Sequence, residues 1–143
     1  MSPDQIFSIV NAIALLSWVL LAALPRRHWV TDLVAGVAVP ALMAIIYSSI
    51  IATNLPGSRG GFASLPEVAV ENRWLLLAGW THYLAFDLLG GVWEVRDAQN
   101  RKIPHMVVLP CLMLTFLLGP AGWLLYQAVR SSRLWARRSA LPQ

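Results

Sequence analysis

The chain alternates long apolar runs with short polar joints. Four runs reach the roughly 20 residues that cross a bilayer: 6–24, 30–52, 74–93 and 106–129. "PRRHW" joins the first pair and "EVRDAQNRKIPH" the last pair. The central connection, "TNLPGSRGGFASLPEVAVEN", is longer and rich in Gly, Pro and Ser. This pattern predicts an all-α protein, an integral membrane four-helix bundle built as one domain over residues 1–143. The central loop has room for a short interfacial turn near 65–70, and the tail "RSSRLWARRSALPQ" is expected to fray. The first run is longer than a signal-peptide core of about 7 to 15 residues. It is preceded by "MSPDQ", which has no basic side chain, and it reads as a retained helix.

Composition supports this reading. Apolar residues make up 57% and charged residues 13%, about half the charged share of a soluble domain. Trp29, Trp74, Trp93 and Trp135 fall at or just beyond the ends of the runs, where an aromatic belt is expected. The net charge of +4 does not imply nucleic acid, because the eleven Lys and Arg lie between the apolar runs and in the tail, as topology signals do. Four spans would put both termini on one side. Six cations on that side against five on the other give only a lean, to the termini inside. The single cysteine, Cys111, can form no intramolecular disulfide.

A helix turns by about 100° per residue. On the third run this gathers Leu77, Thr81, Leu84, Leu88, Val92 and Val95 on one side, read as the lipid face. Gly79, His82, Tyr83, Phe86, Asp87, Gly90 and Glu94 gather on the other, read as the inner face. His82 and Asp87 then lie about 140° apart and flank that face without touching. Asp32, Gly36, Pro40, Met43 and Tyr47 align on the second run; Ser8, Asn11, Leu15 and Trp18 on the first; Cys111, Thr115, Gly119, Gly122 and Tyr126 on the fourth. Small residues at such spacing usually mark packing seams, and Pro110 and Pro120 are expected kinks.

An ionisable residue within a span is a functional-site hypothesis. Asp87 has the chemistry of a general acid and His82 that of a base or proton shuttle. The plainer reading makes both of them hydrogen-bond partners of Asn11, Tyr47 or Thr115. Asp32 follows Thr31 at a helix start, where either can cap free N–H groups. His28 and His105 read as interfacial residues, and Glu94, Arg96 and Asp97 as a solvated loop entry. Three histidines at different depths cannot readily converge on a metal. A metal site from His82, Asp87 and Asp32 is conceivable, but these residues lack a diagnostic spacing and no metal is expected.

The stretch "GWTHYLAFDLLGGVWEVRDA", followed by "VVLPCLMLTFLLGPAGWLLY", resembles the membrane proteins related to the plant abscisic-acid-deficient-four protein. Trp80, His82, Asp87, Pro110 and the Gly119-Pro120-x-Gly122 turn carry the resemblance, and "IFSIVNAIALLSWVLLAALP" fits the first span. It covers nearly the whole chain, most densely 79–126. In plants the family is linked to converting violaxanthin, an epoxy-carotenoid, to neoxanthin. The resemblance therefore implies a multi-pass membrane protein that acts on or binds a carotenoid or isoprenoid lipid. The absence of a plastid transit segment implies a bacterial inner membrane. Epoxide isomerisation needs an acid at the oxygen, a base for a proton and no redox cofactor. Asp87 and His82 would supply these, with Trp80, Tyr83, Phe86, Gly79, Gly90, Asp32, Asn11 and Tyr47 lining the substrate. The competing reading is a pigment- or lipid-binding protein without turnover, or an accessory subunit of a homo-oligomer or larger membrane complex.

Overall fold

The computed structural model describes residues 1–54 and 72–139, with side chains through Ser132. The turn expected near 65–70 lies outside the described residues. Five helices and no strand are present among those described: α1 (Pro3–Ala23), α2 (Trp29–Asn54), α3 (Arg73–Asn100), α4 (His105–Leu118) and α5 (Pro120–Ser139). Helices α1, α2 and α3 are each long and apolar enough to cross a membrane.

Local sequence explains the helix ends. Ser2 and Gln5 form a reciprocal capping box at the start of α1, which satisfies two of its free N–H groups. Asn72 caps α3 by accepting from the Trp74 N–H at 3.0 Å. The first ten residues of α2, Trp29–Ala38, are π-helical, a rare winding found mainly at functional or strained places. Arg96 of α3 compensates there, donating to the Thr31 carbonyl at 2.9 Å and to Asp32 Oδ1 at 2.7 Å. Asp32 thus caps no helix end; it ties α2 to α3.

Paired contacts fix the directions. Asp4 meets Arg73, Asn11 meets Trp80 and Pro25 meets Gln99, so α1 runs parallel to α3. Asp32 meets Arg96 and Tyr47 meets His82, so α2 runs antiparallel to it. The run expected as a fourth span, 106–129, is two helices. Helix α4 descends antiparallel to α3, with Thr115 against Glu94 and Gly119 against Asp87. Helix α5 climbs back beside α3, with Trp123 against Trp93 and Tyr126 against Asp97. The two form a hairpin whose tip, Gly119, sits beside the midpoint of α3. The expected kink at Pro120 is a full reversal. Gly119 adopts φ 47°, ψ −100°, a conformation open to glycine and almost nothing else. Gly122 packs so closely on the Thr115 backbone that it has no room for a side chain. Pro120 begins α5, where its missing N–H costs nothing. Helix α5 continues into the tail as far as Ser139.

Two further expectations are corrected. Leu77, Thr81, Leu84, Leu88, Val92 and Val95, read as the lipid face of α3, are its buried core face. Hydrocarbon and protein core are equally apolar to leucine, so periodicity located the face without saying what covers it. Helix α3 also runs a further seven residues past Trp93. Glu94, expected in a solvated entry, is completely buried, and Asp97 receives hydrogen bonds from Tyr126 and Arg101.

Candidate functional site

The polar side chains of α3 fall into three groups. The first faces α1. Trp80 donates its indole N–H to Asn11 Oδ1 at 3.2 Å, and its ring stacks between Phe7 and Tyr83, both at 5.7 Å. These rings and Gly79 line a cavity of about 580 Å³ that runs from Asp4 and Arg73 up to Tyr83. Nothing lies within 4 Å of where a Gly79 side chain would begin, so the backbone there is open to an occupant. The lining is mostly apolar, with the Asp4–Arg73 ion pair at its outer end.

The second group surrounds Asp87. By the rise of about 1.5 Å per residue it sits roughly 20 Å from either end of α3, at its midpoint. The Tyr83 hydroxyl, one turn earlier, interacts with its carboxyl. Gly119 closes over it from the hairpin tip: a β-carbon there would stand 2.6 Å from Oδ1. Oδ2 is buried with no hydrogen-bond partner among the described residues. Such an orphan is costly in an apolar setting, on the order of 1–3 kcal/mol. A ligand that hydrogen-bonds to it would relieve it.

The third group faces α2. His82 packs on Phe86 at 4.5 Å and on Tyr47 at 5.3 Å. The structure therefore brings Asn11, Gly79, Trp80 and Tyr83 together with Asp87 one turn beyond. It brings His82, Phe86 and Tyr47 together on a different side of α3. Gly90 stands under Thr115, its β-position 3.9 Å from the threonine methyl. Asp32 is remote from all of these, at the end bearing Arg96. Among the described residues no cluster of three or more His, Cys, Asp or Glu is placed to hold a metal.

Of the hydrogen-bond partners expected for His82 and Asp87, Tyr47 packs on the His82 ring and the other two are engaged elsewhere. Asn11 bonds Trp80 and the Phe7 carbonyl, and Thr115 donates to Glu94 Oε1 at 2.8 Å. Sequence reasoning placed Glu94 on the inner face but assigned it to a solvated loop entry and gave it no role in the site. It lies seven residues after Asp87, on the same face of α3, and its Oε2 is likewise buried without a partner. The available signal was the two-turn spacing, which was overridden by taking Trp93 as the helix end.

The family model described as ABA DEFICIENT 4-like matches residues 5–126. No curated protein and no solved structure matches the chain significantly. The matched span contains Trp80, Tyr83, Asp87 and the whole hairpin tip, and the chain belongs to the ABA DEFICIENT 4-like family.

Proposed function

We propose that this ABA DEFICIENT 4-like protein crosses the membrane three times and holds an isoprenoid-class lipid, such as a carotenoid, in the groove between α1 and α3. Asp87 is the acid that activates it. The observation that carries this reading is the Asp87 carboxyl, with one oxygen unpartnered, one turn beyond an aromatic groove of about 580 Å³. Trp80, Phe7 and Tyr83 offer flat apolar faces to a polyene or isoprenoid chain. For an epoxide, Asp87 would donate its proton to the ring oxygen as a C–O bond breaks. A neighbouring carbon would then give up a proton to the resulting carboxylate, so the net change is an isomerisation. His82 lies across the helix from this groove, so the acid and base roles fall more naturally to Asp87 with Tyr83 beside it.

Binding without turnover is the second reading. It is favoured by the separation of His82 from Asp87, which leaves no second titratable side chain at the groove's inner end apart from Tyr83. Lipid extraction tests both readings at the level of binding. Purified protein is expected to carry an isoprenoid at a higher ratio to bulk lipid than detergent extracts of the same membranes made without the protein. Trp80→Leu is expected to reduce that content by about tenfold, equivalent to about 1.4 kcal/mol of aromatic contact. Protein that carries no isoprenoid enrichment would sink the reading.

The hairpin supports the topology. Because α5 returns to the end where α4 begins, three crossings place the two termini on opposite sides. Single cysteines introduced at Lys102 and Ser132 are expected to react with a membrane-impermeant maleimide from the same side, and one at Ser2 from the other. Labelling of Ser2 and Ser132 positions from one side would instead restore four crossings.

A further inference from the structure

A second cavity, of about 510 Å³, opens at the end of the molecule opposite Arg73, between the α1–α2 joint and the α3–α4 joint. Its floor is apolar, built from Val95, Ala98, Ile103 and Val108. Its rim carries Arg26, His28, Lys102 and His105, and no carboxylate lines it. His105 is held by its ring Nε2 on the Ala22 carbonyl at 2.8 Å. His28 lies 3.4 Å from Asp32, a carboxylate that Arg96 already engages. Asp97, on the same end of α3, is engaged by Arg101, Arg130 and Tyr126. Arg26 and Lys102 make no ion pair among the described residues.

The backbone adds two observations. Helices α2 and α4 both begin at this cavity, at His28 and Pro104, without a side-chain cap. Their free N–H groups add partial positive charge. Lys102 is also the only non-glycine residue with positive φ, 56°, among those described. It stands just past the end of α3, where Ile103 N–H bonds the Ala98 carbonyl and Lys102 N–H the Gln99 carbonyl. Glycine is the usual residue at such a close, and a lysine there strains the backbone. The Lys102 side chain is exposed and packs into no core, so what it adds over glycine is a charge on the rim.

We propose that this cavity binds the phosphate headgroup of an anionic membrane lipid, with Lys102 and Arg26 on the phosphate and the first acyl carbons over Ile103 and Val108. A free phosphate would have no use for the apolar floor. Charge asymmetry places the cavity suitably: Arg26, Arg27, Arg96, Arg101, Lys102 and Arg130 lie at this end, and only Arg73 of the described cations at the other. That bias marks a cytoplasmic face, the leaflet that attracts basic segments to anionic lipid.

Native mass spectrometry of the full chain in mild detergent tests this, with phosphatidylglycerol and phosphatidylcholine as probes. Wild-type protein is expected to retain phosphatidylglycerol in preference. Lys102→Gly and Arg26→Gln are each expected to weaken that retention about fivefold, the factor for one cation near anionic lipid. Lys102→Gly should at the same time keep or raise the thermal midpoint, because it relieves the strained φ. A retained fold with lost lipid separates a binding role from a structural one. Equal retention of the two lipids, unchanged retention in Lys102→Gly, or full displacement of lipid by inorganic phosphate would each overturn the proposal.

Discussion

Gly122→Ala is expected to cost at least about 3 kcal/mol, the upper end of what overpacking a well-filled site costs. It should leave little folded protein. A β-carbon at Gly122 would run into the backbone nitrogen and Cα of Thr115 as well as its hydroxyl. A clash with a flexible side chain can be relieved by a rotamer change, but a clash with backbone moves the helix. Here the helix that must move is α4, and moving it separates Thr115 from Glu94 and the Gly119 tip from Asp87. Gly119 itself is buried at the turn, while Leu117, Leu118 and Pro120 around it are exposed. Gly79→Ala provides the contrast. It meets open space, and alanine is favoured over glycine in a helix by up to about 1 kcal/mol. Thermal midpoints by size-exclusion fluorescence are therefore expected to hold or rise for Gly79→Ala and to collapse for Gly122→Ala. A wild-type midpoint for Gly122→Ala would mean that α4 and α5 do not pack as a tight hairpin.

How much of this was legible beforehand follows from what a sequence pattern can encode. Run length alone marked four apolar segments, and three of them are the long apolar helices α1, α2 and α3. The special residues at 119, 120 and 122 were visible too, and so was the fact that they break a helix. Whether a Gly-Pro break bends the chain or reverses it depends on what α4 and α5 find to pack against. That is a tertiary matter: here the Thr115–Glu94 hydrogen bond and the Tyr126–Asp97 hydrogen bond hold both arms to α3. The polar content of α5 beyond Gln127 was the available sign that this segment differs from the three long apolar helices. The inversion of the α3 faces has a different origin. Leu77, Leu84 and Leu88 form a stripe that would suit lipid or core equally, because no solvent difference distinguishes the two. Polar residues were the better guide to grouping, though they do not mark the core. Trp80, Tyr83 and Asp87 share one side of α3, but His82, expected on the same inner face, turns toward Tyr47 of α2 with Phe86 beside it. Glu94 was lost to a boundary error of seven residues, the commonest weakness of reading helix ends from composition.

Asp87→Asn is expected to separate catalysis from binding. Asparagine keeps the size of the side chain, so the contact beneath Gly119 survives, and the groove lined by Phe7, Trp80 and Tyr83 is unaltered. What disappears is the proton that a carboxyl can give and take back. If Asp87 is the acid, product formation from the bound isoprenoid should fall by about 10²-fold or more, the range that a positioned general acid contributes. The amount of lipid retained by the purified protein should stay within about twofold. His82→Ala is expected to lower turnover far less, because its ring rests on Phe86 and Tyr47 and not in this groove. Equal losses from the two variants would return His82 to the role of base and require the substrate to wrap around α3. A wild-type protein that retains lipid and forms no product would leave Asp87 as a packing and hydrogen-bonding group. In a membrane interior such a group contributes only about 0.6 kcal/mol on average. On that scale the unpartnered Oδ2 costs more than the group returns, and this imbalance favours a carboxyl kept for its chemistry.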